Sequence, residues 1–280
     1  MIEIFESGDG PLAYRDSGPR DGHPLVLLHS AFVDHTQFDE LVPGLVDQGY
    51  RVIAPDARGH GQSANASRPF RQTDDLAALL RHLALPSPAV LVGLSMGALI
   101  AIDTALEHPE LVGALVVSGR GVCEPDHSDP WSMERERAQT AALAAGDLAG
   151  WADGFSRWAS GPHRAFEEVD PEVARRIREM AVRTLMKHTP DEPNHLVPVE
   201  NVAGRAKDIA VPVLAINGAL DSPGVLATVT ALMDLVPNGR TTRIEGVAHY
   251  TSMEAPREFA RIVTEFLGEL VAQNAGARFD

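Results

Sequence analysis

Cysteine is nearly absent. Cys123 stands alone in 280 residues, which excludes an intrachain disulfide and fits, without requiring, a reducing compartment. Its expected place is the interior, as a small apolar side chain. Basic charge is scarce as well. Twenty-four Lys and Arg against 39 Asp and Glu leave a formal net charge of −15, too little clustered cation to grip nucleic-acid phosphates or an anionic membrane. No run approaches the roughly 18 apolar residues that cross a bilayer. Met1 to Gly10 carries acidic residues in place of the apolar stretch of a secretory leader. The sequence has no HExxH pair, no clustered Cys/His ligands and no phosphate-cradling glycine loop, so neither metal nor organic cofactor is expected. These absences leave a cytoplasmic protein with a small-molecule substrate and no nucleic-acid or membrane partner. No repeating apolar seam marks a dimer, so monomer and homodimer both stay open.

What is present is an alternation of two patterns. Hydrophobic residues make up 44%, enough for a full core in a chain of this length. Leu25–Leu28, Val52–Ala54, Ala89–Val92, Leu115–Val117 and Val213–Ile216 are short runs of Val, Leu, Ile and Ala. They are bounded by Gly, Pro or polar residues, the signature of parallel strands covered on both faces. Ile2–Phe5 and Leu12–Tyr14 alternate more and read as a hairpin across Gly8–Pro11. Between them lie helical stretches: one capped at Thr73 and ending before Pro86, one opening at Ser95 and ending near His108, and one from Pro256 to Val271 with Phe259, Ile262, Val263, Phe266 and Leu270 on one face. The tail, Asn274 to Asp280, is expected to fray. Strands alternating with helices predict an α/β fold with a mostly parallel central sheet and helices on both faces.

Between residues 121 and 196 the strand pattern stops. Helical periodicity replaces it over Met133–Leu148 and Glu172–Lys187, and all three tryptophans fall here. The expectation is a core of residues 1–120 and 197–280, with 121–196 inserted as a helical cap at the functional edge of the sheet.

Gly93-Leu-Ser-Met-Gly97 carries the chemistry. A GxSxG string arises by chance in roughly one such chain in ten, so its place decides its meaning. It follows the run ending at Val92 and opens a helix, where a sharp turn lifts a serine hydroxyl above the sheet and aims helix N–H groups at developing negative charge. A serine nucleophile needs a base, and the base an orienting carboxylate, in the chain order Ser, Asp, His. His249 follows the run Thr241–Ile244, and Asp221 follows Val213–Ile216, both on the edge that carries Ser95. Asp126 and Asp129 are reserve acids. The oxyanion donors are expected to be the backbone N–H groups of Met96 and of Ala31, with Phe32 as the alternative, in the loop after Leu28. His29 is expected to hold that loop. Phe32, Trp131, Trp151, Phe155 and Trp158 are candidates to line an apolar pocket or to fill the core of the insertion. Arg157, His163 and Arg164 read as a solvated face or, less simply, as contacts to a substrate carboxylate.

Taken together, Gly93–Gly97, Val52-Ile-Ala-Pro-Asp-Ala-Arg-Gly-His-Gly-Gln-Ser63 and Val247-Ala-His-Tyr250 resemble the α/β-hydrolase superfamily. The resemblance covers about Leu12–Ser118 and Val211–Leu270, with the insertion where the family carries its variable cap. It is nearest the small esterase, enol-lactonase and cofactor-free perhydrolase branch. It implies the α/β-hydrolase fold and a serine esterase or lactonase working through an acyl-enzyme on Ser95. Perhydrolase or lyase chemistry on the same residues, and a silent ligand receptor, are the alternatives. Ser30 departs from the glycine common in the family after the loop histidine.

Overall fold

Both faces of the sheet are covered, and the interior strands are accordingly apolar without alternation. The computed structural model describes residues 1–189 and 191–276. Among these, β1 (Ile2–Ser7), β2 (Gly10–Ser17), β3 (Pro24–Leu28), β4 (Arg51–Pro55), β5 (Ala89–Leu94), β6 (Val112–Ser118), β7 (Val213–Gly218) and β8 (Gly239–Ile244) form one sheet in the order β1-β2-β4-β3-β5-β6-β7-β8. The hairpin β1–β2 and the pair β2–β4 are antiparallel, and every pair from β4 to β8 is parallel. Strands expected from the Val/Ile/Leu runs are all present.

The helices are α1 (Val42–Asp47), α2 (Gln72–His82), α3 (Met96–Glu107), α4 (Pro130–Ala144), α5 (Leu148–Ser156), α6 (Pro171–Leu185), α7 (Val202–Arg205), α8 (Pro223–Leu235), α9 (Thr251–Glu254) and α10 (Pro256–Gly276). Successive strand residues point to opposite faces. Val26, Leu28, Leu91, Leu115, Val117 and Val213 pack with residues of α2, α3 and α8, whereas Leu25, Leu27, Val90, Val92, Val116 and Leu214 pack with α1 and α10. Full burial of a side chain such as Leu27 or Phe259 favours folding by roughly 1.5–3 kcal/mol each.

Local chemistry moved several boundaries. α2 begins at Gln72, so Thr73 is buried in its first turn instead of capping it. The helix expected over Met133–Leu148 is two, because Gly146 at φ +68° breaks it and Asp147 caps the second through Gly150 N. α10 runs five residues past Val271, through Asn274 to Gly276, and residues 277–280 lie outside the described part. Cys123 corrects a further expectation. It is exposed, because it sits in left-handed backbone at φ +69° while its neighbours Gly121 and Val122 take the buried positions.

Since β5, β6, β7 and β8 are parallel, the segments that follow them emerge at one edge. Ser95, Gly119, Asp221 and His249 all lie in those segments. Helices α4, α5 and α6 occupy the connection between β6 and β7.

Candidate active site

Ser95 closes β5 and precedes α3 with φ +53° and ψ −112°, a conformation costly for a residue with a Cβ and held by its surroundings. Its N–H donates to Ser118 O at 2.8 Å. The turn is tight enough that a Cβ on Gly97 would stand 1.9 Å from Leu28 O, so no larger residue fits. Met96 and Gly97 open α3, where the first N–H groups have no intrahelical acceptor. They supply the positive end of the helix beside the serine.

Asp221 is buried at the turn after β7. Its Oδ1 accepts from Ser222 N at 2.8 Å and its Oδ2 pairs with His249 Nδ1 at 2.9 Å. That bond fixes the ring so that Nε2 is the free nitrogen. Burial acts to lower the His249 pKa, but the Asp221 carboxylate, by charge and by hydrogen bond, outweighs it. With Glu254 adding, the pKa stands above the ordinary imidazole value. Gly119, at φ +65°, gives the ring its space: a Cβ there would come within 2.8 Å of His249 Cε1. The reserve acids are engaged elsewhere. Asp126 accepts from Ser128 N and Asp129 caps α4 through Trp131 N and Ser132 N.

Ser95 and His249 line one cavity of about 160 Å³, together with Ser30, Ala31, Phe155, Trp158 and Tyr250. A larger hollow of about 470 Å³ is walled by charged residues of α6 and by Asp34, His35 and Asp56, and none of the three residues Ser95, Asp221 and His249 lines it. Asp34, His35 and Asp56 bring potential metal-ligating atoms together. Those atoms are already bonded: Asp56 Oδ1 to His35 N and Nδ1, Asp34 Oδ2 to Arg183, and Asp34 Oδ1 to Thr36 N.

The aromatic candidates divide. Phe155 and Trp158 line the cavity. Phe32, at φ +60°, packs edge-on against both Trp151 and Phe155, and Trp151 stacks on Phe155. Trp131 stands edge-on behind Trp158 at 5.0 Å. Trp131 and Trp151 thus back the wall instead of forming it. The loop after β3 is held as expected: Ala57 N donates to His29 Nε2 at 3.0 Å, which leaves His29 Nδ1–H to donate to Ser30 O at 2.8 Å. Ser30 N donates to Gln37 Oε1, and the buried Ser30 hydroxyl has no partner. Arg164 is neither solvated nor set toward the cavity. Its side chain bonds Gly246 O, Ala159 O and the Glu254 carboxylate, which itself accepts from Ala248 N beside His249. Arg157 lies over the Phe166 ring, and His163 is exposed. Sequence reasoning passed over Arg120, His127 and Tyr250, which also line the cavity. Only Tyr250 had a visible signal, its place next to His249.

The profile of a family described as alpha/beta hydrolase fold matches residues 23–256. The chain belongs to this family. A putative non-heme bromoperoxidase, BpoC, of Mycobacterium tuberculosis is 31% identical over 93% of this chain and 99% of its own length. A pimeloyl-[acyl-carrier protein] methyl ester esterase of Aromatoleum aromaticum is 28% identical over 86% and 96%. Three other curated relatives are matched over only 42%, 34% and 36% of their own length. Among solved structures, a bromoperoxidase from Bacillus anthracis superposes with a TM-score of 0.77 at 21% identity, covering 96% of this chain and 100% of that one. The family accounts for the eight-stranded, mostly parallel sheet with its helices.

Proposed function

We propose that this chain is a serine hydrolase that cleaves a small carboxylic ester or lactone. The observation that carries the reading is the 2.9 Å Asp221–His249 bond beside a serine held at a strained strand-to-helix turn on the same cavity. His249 Nε2 takes the Ser95 proton as Oγ attacks the acyl carbon, and Asp221 stabilises the imidazolium. The N–H groups of Met96 and Ala31 receive the oxyanion. Collapse of the tetrahedral adduct expels the alcohol, which takes the proton from His249. Water, deprotonated by His249, then attacks the acyl-enzyme and releases the acid. Helices α4 to α6 act as the cap, with Phe155 and Trp158 as its apolar contribution to the acyl or alcohol pocket. The esterase among the relatives supports this reading.

Hydrolysis of a p-nitrophenyl ester ladder, with fluorophosphonate labelling in parallel, tests it. Wild type should turn over short esters and label. Ser95→Ala should lose at least about 10³-fold in kcat/KM and all labelling. Absence of both in wild type would overturn the proposal in favour of a silent receptor. A second reading has support from the BpoC relative: peroxide in place of water would attack the acyl-enzyme and release a peracid. Product that depends on added peroxide distinguishes it.

A further inference from the structure

In a chain with a net charge of −15, the cavity at Ser95 has no acidic side chain among its described lining residues. Its charged wall is basic. Arg120 follows Gly119 directly after β6, lines the cavity, and stands close enough to oppose protonation of His249. Its Nη2 pairs with Glu124 at 2.7 Å, but the Glu124 side chain is 89% exposed, so the bond is weakened by water, and a ligand carboxylate competes with Glu124 for the same guanidinium. Arg120 Nε is buried and has no partner. His127, on the same wall, presents the same anomaly: its Nδ1 is buried and unpaired while its ring packs edge-on against Trp158. Two unsatisfied polar nitrogens beside an apolar wall of Phe155, Trp158 and Val225 cost stability unless something fills them. An arginine with free donors suits the two oxygens of a carboxylate.

We propose that Arg120, aided by His127, is an anion subsite, and that the cavity takes an ester or lactone bearing a second, free carboxylate. The acyl carbon sits at Ser95, and the distal carboxylate accepts from the Arg120 guanidinium. The Phe155 and Trp158 faces cover the methylenes between them. This rests on the reading of Ser95 as the acyl site and adds the substrate class.

The test is equilibrium binding, measured by calorimetry on the Ser95→Ala variant so that no turnover is needed. The probes are monomethyl esters of the dicarboxylic acids from succinate to adipate, each against its dimethyl ester. At least one half-ester should bind tenfold or more tighter than its diester. Arg120→Met in the Ser95→Ala background should abolish that preference, and Arg120→Lys should restore part of it. Glu124→Ala, at an exposed position, should tighten half-ester binding by releasing the guanidinium, a gain that structural damage does not mimic. It decides the matter even where Arg120→Met fails to fold. Diesters binding as well as half-esters across the whole series, or a preference that survives Arg120→Met, would overturn the subsite. Wild-type hydrolysis of the neutral diesters reads the hydrolase proposal separately. Diester turnover without half-ester preference leaves hydrolysis standing and removes the subsite. Arg120-dependent binding without turnover does the reverse.

Discussion

His249 can take the Ser95 proton only while its ring is neutral, so the pH dependence of the proposed reaction follows from the groups around that ring. Burial alone would lower the pKa, and the charge and hydrogen bond of Asp221 more than reverse it, placing it above 6.5. A raised pKa means that the ring is protonated and inactive below it. kcat/KM should therefore rise with pH through a midpoint above 6.5 and then level off. Asp221→Asn keeps the shape of the side chain and removes the charge. It should move the midpoint down and lower the plateau by roughly 10³–10⁴-fold through loss of the correct tautomer. A pH–rate profile of ester hydrolysis by both proteins checks this, and an unmoved midpoint would contradict the role given to Asp221. Ser30 is the other residue whose chemistry stands out, since it lines the cavity and its buried hydroxyl has no partner.

α3 carries the serine turn at its start and an electrostatic fault in its body. Asp103 is largely buried, its Oδ1 has no partner, and burial together with nearby Glu107 raises its pKa from 3.8 to about 7 against the pull of Arg71 and Arg205. The unfolded carboxyl ionises near 3.8, whereas the folded one keeps its proton until about 7. The folded state therefore binds more protons across that window, and stability falls as pH rises through it, then stays level above. Asp103→Asn removes the ionisation at nearly constant size. It should stabilise the protein at pH 8 by about 1–2 kcal/mol, a figure reduced from the full shift because the group keeps some solvent, and give no such gain at pH 4. Urea unfolding at the two pH values measures the difference. Equal effects at both would show that Asp103 is not held protonated in the fold.

Across the whole molecule, one side chain links the α4–α6 connection to the loop that bears His249. Arg164 leaves that connection, bonds Gly246 O and pairs with Glu254, both side chains being largely buried. Glu254 in turn receives Ala248 N next to His249. Arg164→Ala strands a buried carboxylate and should cost about 3 kcal/mol. Burial already raises the Glu254 pKa despite Arg164, so without Arg164 the carboxyl escapes part of the cost by protonating. The loss should accordingly be larger at pH 8 than at pH 5. Hydrogen exchange should quicken in residues 157–170 and 245–254 together, and kcat/KM should fall as the His249 loop loosens. Faster exchange confined to 157–170 would show that the two regions are not coupled.

Much of this was legible in the order of residues, and the reasons are local. An interior parallel strand has both faces covered, so its apolar run shows without any knowledge of its neighbours, as in Ala89–Val92 and Val213–Ile216. Parallel strands also put their C-terminal ends on one edge, so a serine, an aspartate and a histidine that each follow a strand were placed near one another by chain order alone. Ser95, Asp221 and His249 do lie at that edge. Helix boundaries were less legible, since Thr73 and Gly146 act through backbone geometry that competing side chains decide. Only the tertiary structure could show that Trp131 and Trp151 stand behind the cavity wall, that Asp129 is spent on capping α4, or that Arg164 reaches Glu254 ninety residues away. Arg120 shows the same division. Its sequence neighbours carry no sign of a binding role, and its charge acquires one in the proposed subsite because the parallel sheet brings the end of β6 beside His249, in a cavity with no acidic side chain among its described lining residues. Periodicity and strand order are properties of neighbours along the chain, whereas the direction of a long side chain and the partner of a buried nitrogen exist only once distant segments pack.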